Sequence, residues 1–137
     1  MSTRPTLADL RKLKGVRQFL TVHVDTAEEA AAAADAGIEM FTFEVDERLE
    51  SVRAAAPGVF IQAGYGQGHI ASEEIAIREG FKAMERGIDA IYFAGSLRIV
   101  EAMANEGIPV CGHVGYAPRL NTWTGVRAVG KSTWPQT

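Results

Sequence analysis

The chain of 137 residues has one cysteine, Cys111, so it holds no internal disulfide framework, and a reducing compartment, the cytoplasm, is expected. Charge of one sign is also scarce. The 14 basic and 17 acidic residues leave a net charge of −3, which speaks against nucleic acid or an anionic membrane as a partner. No apolar run approaches the roughly 18 residues of a membrane span, and residues 1–14 lack the apolar centre of a secretory signal. What is present is ordinary globular composition, 47% hydrophobic and 23% charged, long enough for one domain over 1–137 with its own core.

The order of elements is strand then helix, repeated. A short N-terminal helix within 1–15 is expected to begin after Thr6, to carry Leu7, Leu10 and Leu13 on one face, and to stop at Gly15, forming a lid over one end of the domain. Apolar runs at 19–24, 40–45, 59–63, 89–94 and 108–111 read as strands, the last of them buried. Between them lie helices over 27–35, capped by Asp25-Thr26, and over 47–56, opened by Asp46 and stopped before Pro57-Gly58. Two more follow Ser72 and Ser96, the first with Ile75, Phe81 and Met84 as its apolar contacts. The stretch 119–137 has no clear strand-helix pattern. Helix ends repeat one theme: Ala36-Gly37-Ile38-Glu39, Arg86-Gly87-Ile88-Asp89 and Glu106-Gly107-Ile108-Pro109 each precede a strand. Short connections between such units imply an α/β fold with a parallel sheet, here a partial TIM-type barrel of about five strands.

Chemistry-capable residues gather at the expected carboxyl ends of these strands, where α/β folds bind ligands. His113 stands between Gly112 and Gly115 just past the fifth strand, followed by Tyr116, and is the leading catalytic candidate. Tyr92 on the fourth strand is a candidate proton donor. His23 and Asp25, and likewise Glu44 and Asp46, are two apart at adjacent strand ends and are expected to meet as a metal site of oxygen and nitrogen ligands. Glu44, Gln62, His69, Ser96, Gly112 and Tyr116 are expected to line the substrate site. Gly64, Gly66 and Gly68 space as G-x-G-x-G rather than as a dinucleotide fingerprint, so a mobile loop over a strand end is expected there.

Two stretches carry a resemblance. Residues Thr6-Leu7-Ala8-Asp9-Leu10-Arg11-Lys12-Leu13-Lys14-Gly15 resemble the opening helix of ketopantoate hydroxymethyltransferases. The run Gly107-Ile108-Pro109-Val110-Cys111-Gly112-His113-Val114-Gly115-Tyr116-Ala117-Pro118, continuing through Gly125-Val126-Arg127-Ala128-Val129-Gly130-Lys131, resembles the same family more specifically. The resemblance spans nearly the whole chain but about the first half of a family member.

It implies a (β/α)8-barrel relative of the phosphoenolpyruvate mutase and isocitrate lyase group. The implied reaction is a Mg²⁺-dependent aldol-type transfer of a one-carbon unit from methylenetetrahydrofolate to the 2-oxo acid 3-methyl-2-oxobutanoate, giving ketopantoate for pantothenate synthesis. The family's Gly-Asp-Ser falls on Glu44-Val45-Asp46, which puts its metal aspartate on Val45 without a gap, or on Asp46 with a slide of one residue. Its second aspartate falls near Ala63, and its Lys-x-Glu-Gly falls on Tyr92-Phe93-Ala94-Gly95. The family's glutamate base lies outside the half that matches.

Three functions follow as expectations: a hydroxymethyltransferase-like enzyme, a related metal-dependent carbon–carbon lyase or isomerase, or a non-catalytic or truncated half-barrel that binds a ligand or partner. Five strands leave open sheet edges, so a homo-oligomer that completes or covers the sheet is expected, with 119–137 exchanged between subunits.

Overall fold

The computed structural model describes residues 4–66, 68–116, 121–126 and 128–129. Helix α1 (Leu7–Lys12) leads into strand β1 (Thr21–His23), α2 (Ala27–Asp35), β2 (Met40–Glu44), α3 (Leu49–Ala55) and β3 (Phe60–Gly64). Then come α4 (Glu73–Glu85), β4 (Ala90–Phe93), α5 (Leu97–Asn105) and β5 (Val110–Gly112). A short antiparallel ladder pairs β6 (Gly115–Tyr116) with β7 (Ala128–Val129) around α6 (Asn121–Thr124). The main sheet is parallel throughout, in the order β1-β2-β3-β4-β5, as a partial (β/α) barrel requires. Among the described residues no helix is long and apolar enough to cross a membrane.

Local chemistry sets the helix starts. Thr6, Thr26, Ser72 and Ser96 each place a side-chain oxygen on the backbone N–H three residues on, satisfying a donor that the first turn leaves unpaired. Helix α3 differs: Asp46 does not cap it. Arg48 holds the cap position without a side-chain bond, and the helix begins at Leu49. The ends after α2, α4 and α5 turn through Gly37, Gly87 and Gly107 at φ 84°, 104° and 78°, a region where a Cβ is strained.

Strand alternation divides the sheet into two unlike faces. Val24, Phe41, Phe43, Ile61, Ala63, Ile91 and Phe93 are buried in one cluster with Ala30, Leu49, Val52, Ala76, Ala83, Ile99 and Met103, so the helices cover that face. Fully burying each large side chain there stabilises the fold by about 1.5–3 kcal/mol. The opposite face carries His23, Thr42, Glu44, Gln62, Tyr92 and Cys111, all partly or fully exposed.

Several expectations need correction. Among the described residues the fifth strand is an edge, not a buried strand: it pairs only with β4 in the main sheet, Cys111 is exposed, and the buried Ile108 precedes it. Helix α4 packs through Ala76, Gly80 and Ala83, with Gly80 against Ile108, while Phe81 is exposed. Helix α1 buries no residue. Its segment is tied down instead by ion pairs, Arg4 to Asp89 at 3.1 Å and a bidentate Arg17–Glu39 pair at 2.6 Å on each oxygen. Of the stretch 119–137, residues 119–120, 127 and 130–137 lie outside the described residues, as does Gln67 of the glycine loop.

Candidate functional site

Register decides which side chains meet. His23, Thr42 and Gln62 are direct partners across β1, β2 and β3, and Glu44, Gly64, Tyr92 and Cys111 are direct partners across β2 to β5. Both rows lie on the face away from the helices, at the carboxyl ends of the strands. His23, Thr42, Glu44, Gln62 and Tyr92, with Gly64 and Tyr65, line a cavity of about 440 Å³. Thr42 Oγ1 lies 3.2 Å from His23 Nδ1. Between Glu44 and Tyr92 the row has no side chain, because position 64 is glycine. A Cβ there would come within 2.7 Å of the Tyr92 carbonyl oxygen. Strands two apart are separated by about 10 Å, which leaves a small-molecule gap between the Glu44 carboxylate and the Tyr92 phenol.

Tyr92 does not stand alone. Its hydroxyl is hydrogen-bonded to Nδ1 of His113, whose backbone N–H is anchored on the Phe93 carbonyl at 2.9 Å. On the far side of the ring, Nε2 meets the backbone carbonyl of Tyr116. Burial pushes the Tyr92 phenol above its usual range, and Cys111 beside it adds to the shift, so the hydroxyl keeps its proton at neutral pH. Glu44 is exposed and has no ion-pair partner among the described residues.

The other expected residues are placed as follows. His69 stacks on Tyr65, rings 5.4 Å apart and nearly parallel, outside the cavity wall. Ser96 caps α5 and lines a separate cavity of about 320 Å³ with Phe93, Ile99 and loop glycines, on the helix side of the sheet. Gly112 is in register with Phe93 and faces Val100 and Leu97, also on the helix side. Tyr116 enters through its backbone carbonyl, and its hydroxyl accepts from Asn121 Nδ2 at 2.8 Å.

The expected metal ligands do not converge. Asp46 accepts from Arg48 through its backbone N–H at 2.8 Å, its Nε at 2.9 Å and its Nη2. These hydrogen bonds hold the carboxyl below the usual range and occupy both oxygens. Asp25 lies 3.4 Å from His23 Nε2 and 3.8 Å from the same Arg48. Val45, where the family's metal aspartate would fall, packs against the core on the helix face. Among the described residues no three His, Cys, Asp or Glu side chains are grouped to hold a metal ion. Mg²⁺ prefers several hard oxygens in near-octahedral array, and this donor set does not fit it.

Sequence reading missed Thr42, Arg48 and Asn121. Thr42 was legible as the residue two before Glu44 on the same face. Nothing in the spacing signals that Arg48 folds back onto Asp46.

A sequence-family model described as ketopantoate hydroxymethyltransferase matches residues 24–136. Relatives include the 3-methyl-2-oxobutanoate hydroxymethyltransferase of Thermotoga maritima, 27% identical over 148 residues that cover 90% of this chain and 55% of the relative. That of Thermosipho melanesiensis is 32% identical over 104 residues, covering 71% and 39%. That of Edwardsiella ictaluri is 25% identical over 154 residues, covering 94% and 58%. The chain thus spans about half the length of the curated relatives it matches.

Proposed function

The chain belongs to the ketopantoate hydroxymethyltransferase family, and from that premise we propose that its strand-end mouth binds a small 2-oxo acid, 3-methyl-2-oxobutanoate, and moves the proton at C3. The observation that carries this reading is the placement of Glu44 and Tyr92 on one row, facing the same cavity across a glycine. An acid seated over Gly64 would present its 2-oxo oxygen to the Tyr92 hydroxyl and C3–H to the Glu44 carboxylate. The His23 ring, the Gln62 amide and the Thr42 hydroxyl are the polar groups available to its carboxylate.

The step balances on these residues. The C3–H bond breaks and its proton goes to Glu44. The electron pair forms C2=C3, and the enolate oxygen takes the Tyr92 proton while His113, protonated on both ring nitrogens, resupplies Tyr92 through Nδ1 and is left neutral. Such general acid–base assistance typically contributes 10²–10⁴-fold. Enolisation is the half of a hydroxymethyl transfer that prepares carbon for the one-carbon unit. In the family as its resemblance describes it, methylenetetrahydrofolate donates that unit.

The test is proton NMR of 3-methyl-2-oxobutanoate in D₂O, with and without Mg²⁺. Loss of the C3 proton signal with protein, reduced at least about tenfold in E44Q and in Y92F, is the expected result. No exchange above the blank overturns the proposal and leaves ligand binding without turnover. Exchange that appears only with Mg²⁺ and survives Y92F also overturns it, because the carbonyl would then be polarised by metal.

We further propose a cytoplasmic homo-oligomer. Among the described residues β1 and β5 are the edges of the sheet, and these edges, with exposed Val16, Leu20, Val114 and Trp123, support it. Light scattering that gives a monomer at micromolar concentration overturns it.

A further inference from the structure

His113 has two ring nitrogens with unlike neighbours. Nε2 faces the carbonyl oxygen of Tyr116, which only accepts, so Nε2 must carry a proton to make that bond. In the neutral ring Nδ1 is then the bare nitrogen, and the Tyr92 hydroxyl has to donate to it. The carbonyl is itself held, since Asn121 on α6 donates to the Tyr116 hydroxyl at 2.8 Å and Gly115–Tyr116 pair with Ala128–Val129.

We infer that Tyr116 on β6 and Asn121 on α6 lock neutral His113 as its Nε2–H tautomer, so that the Tyr92 proton can turn toward the cavity only when His113 gains a second proton. A free imidazole could reverse its bond to Tyr92 by moving one proton between its nitrogens. Here that exchange would set the Nε2 lone pair against the Tyr116 carbonyl oxygen, two acceptors face to face, which disfavours it. Asn121 and Tyr116 are therefore positioning residues. They touch no part of the cavity and act through His113.

The groups that face the pair are Tyr92 from β4, Cys111 from β5 and Tyr116 from β6, with Glu44 across the mouth on β2. No charged side chain among the described residues makes an ion pair with His113. Neutral His113 leaves the Tyr92 oxygen as an acceptor toward the cavity. Doubly protonated His113 donates through Nδ1 to Tyr92, whose own O–H then points to a 2-oxo oxygen, with a cation behind it. Donation of that proton returns His113 to the neutral Nε2–H tautomer.

The consequence for turnover rests on the enolisation reading above, whereas the tautomer does not, and the experiment separates them. Long-range proton–nitrogen correlation on ¹⁵N-labelled protein reads the His113 tautomer directly, and the pH profile of C3 exchange reads the consequence. Wild type is expected to show only Nε2–H in the neutral ring and an exchange rate that falls about tenfold per pH unit on the alkaline side. Asn121→Ala, and independently Tyr116→Phe, should give mixed tautomers and flatten that alkaline limb. Mixed tautomers or Nδ1–H in the wild type overturn the lock, whatever the activity. A locked tautomer with no exchange at any pH upholds the lock and overturns the catalytic reading. Exchange with the same alkaline slope in both variants overturns the positioning role.

Discussion

Replacing Asp89 by alanine should cost more stability than any single ion pair at the surface. One oxygen of Asp89 accepts from Arg53 Nη2 at 2.7 Å and from the backbone N–H of Ile61 at 2.8 Å, while the other meets Arg4 Nε at 3.1 Å. The side chains of Asp89 and Arg53 are each 13% exposed, that of Arg4 43%. Burial pulls the Arg53 guanidinium below its usual range against the pull of Asp89, so this cation depends on its partner. It would keep its bonds to the carbonyls of Gly87, Ala56 and Val59 after the change.

Losing a charge-assisted bond costs about 1.5–3 kcal/mol, and leaving the Ile61 N–H unpaired in a fully buried residue costs about 1–3 more. The sum, about 2.5–6 kcal/mol, brackets the roughly 3–5 kcal/mol found when one partner of a buried pair is removed. With a urea dependence near 2 kcal/mol per molar, the unfolding midpoint should fall by about 2 M. D89N keeps an acceptor for Ile61 and should lose about half as much. R4A removes a screened, half-exposed pair and should cost at most about 1 kcal/mol. Urea unfolding of the three variants gives the order. A D89A loss below about 1 kcal/mol, or an R4A loss equal to it, would refute the reasoning.

Gly64→Ala would place a Cβ 2.7 Å from the Tyr92 carbonyl, which is backbone and cannot swing aside. A destabilisation of about 1–3 kcal/mol is expected from the forced strand shift, and an unchanged urea midpoint would show that β3 has slack there. Glu50 is held at a pKa of about 2 by its two-pronged bond to Arg86, at 2.6 and 2.9 Å, against 4.5 when free. Its contribution is thus complete above pH 4.5 and is lost as pH falls toward 2. The thermal midpoint of E50Q should therefore converge on that of wild type across this range, and a constant gap between the two would count against the assignment.

Much of the fold was legible because it is written in local rules. Thr26, Ser72 and Ser96 stand where a first turn needs an acceptor, and Gly37, Gly87 and Gly107 stand where the chain leaves a helix through positive φ. The strands fell within a residue or two of their places. The site was only partly legible, because a period of two assigns side chains to faces but does not say which face the helices take. Gly112 and Ser96 sit at strand ends yet belong to the helix side. Asp46 looked like a cap and a ligand, but Arg48, two residues on, claims both its oxygens, one through its backbone N–H and the other through its guanidinium. That fold-back has no periodic signature. The link between Tyr92 and His113 joins residues 21 apart in sequence and follows from the pairing of β4 with β5, which no single stretch encodes.

The same period explains why the proposed proton transfer rests on other residues than the family's motif marks. A shift of one residue moves a side chain from one face of a strand to the other. The family's metal aspartate falls on Val45, and Val45 lies on the helix face, packed against the core. An aspartate introduced there alone would bury a charge among apolar groups, which costs several kcal/mol, and would offer nothing to the cavity. The carboxylate that does face the cavity is Glu44, and the residue opposite it is a phenol backed by a histidine. In the proposed reaction that carboxylate, the gap and the proton-bearing phenol act as an acid–base pair across a substrate-sized space. Val45→Asp should thus destabilise the fold without creating Mg²⁺ affinity, which titration calorimetry with Mg²⁺ can measure. Tight Mg²⁺ binding by that variant would mean that the strand turns over at Val45 and that the mouth faces the other way.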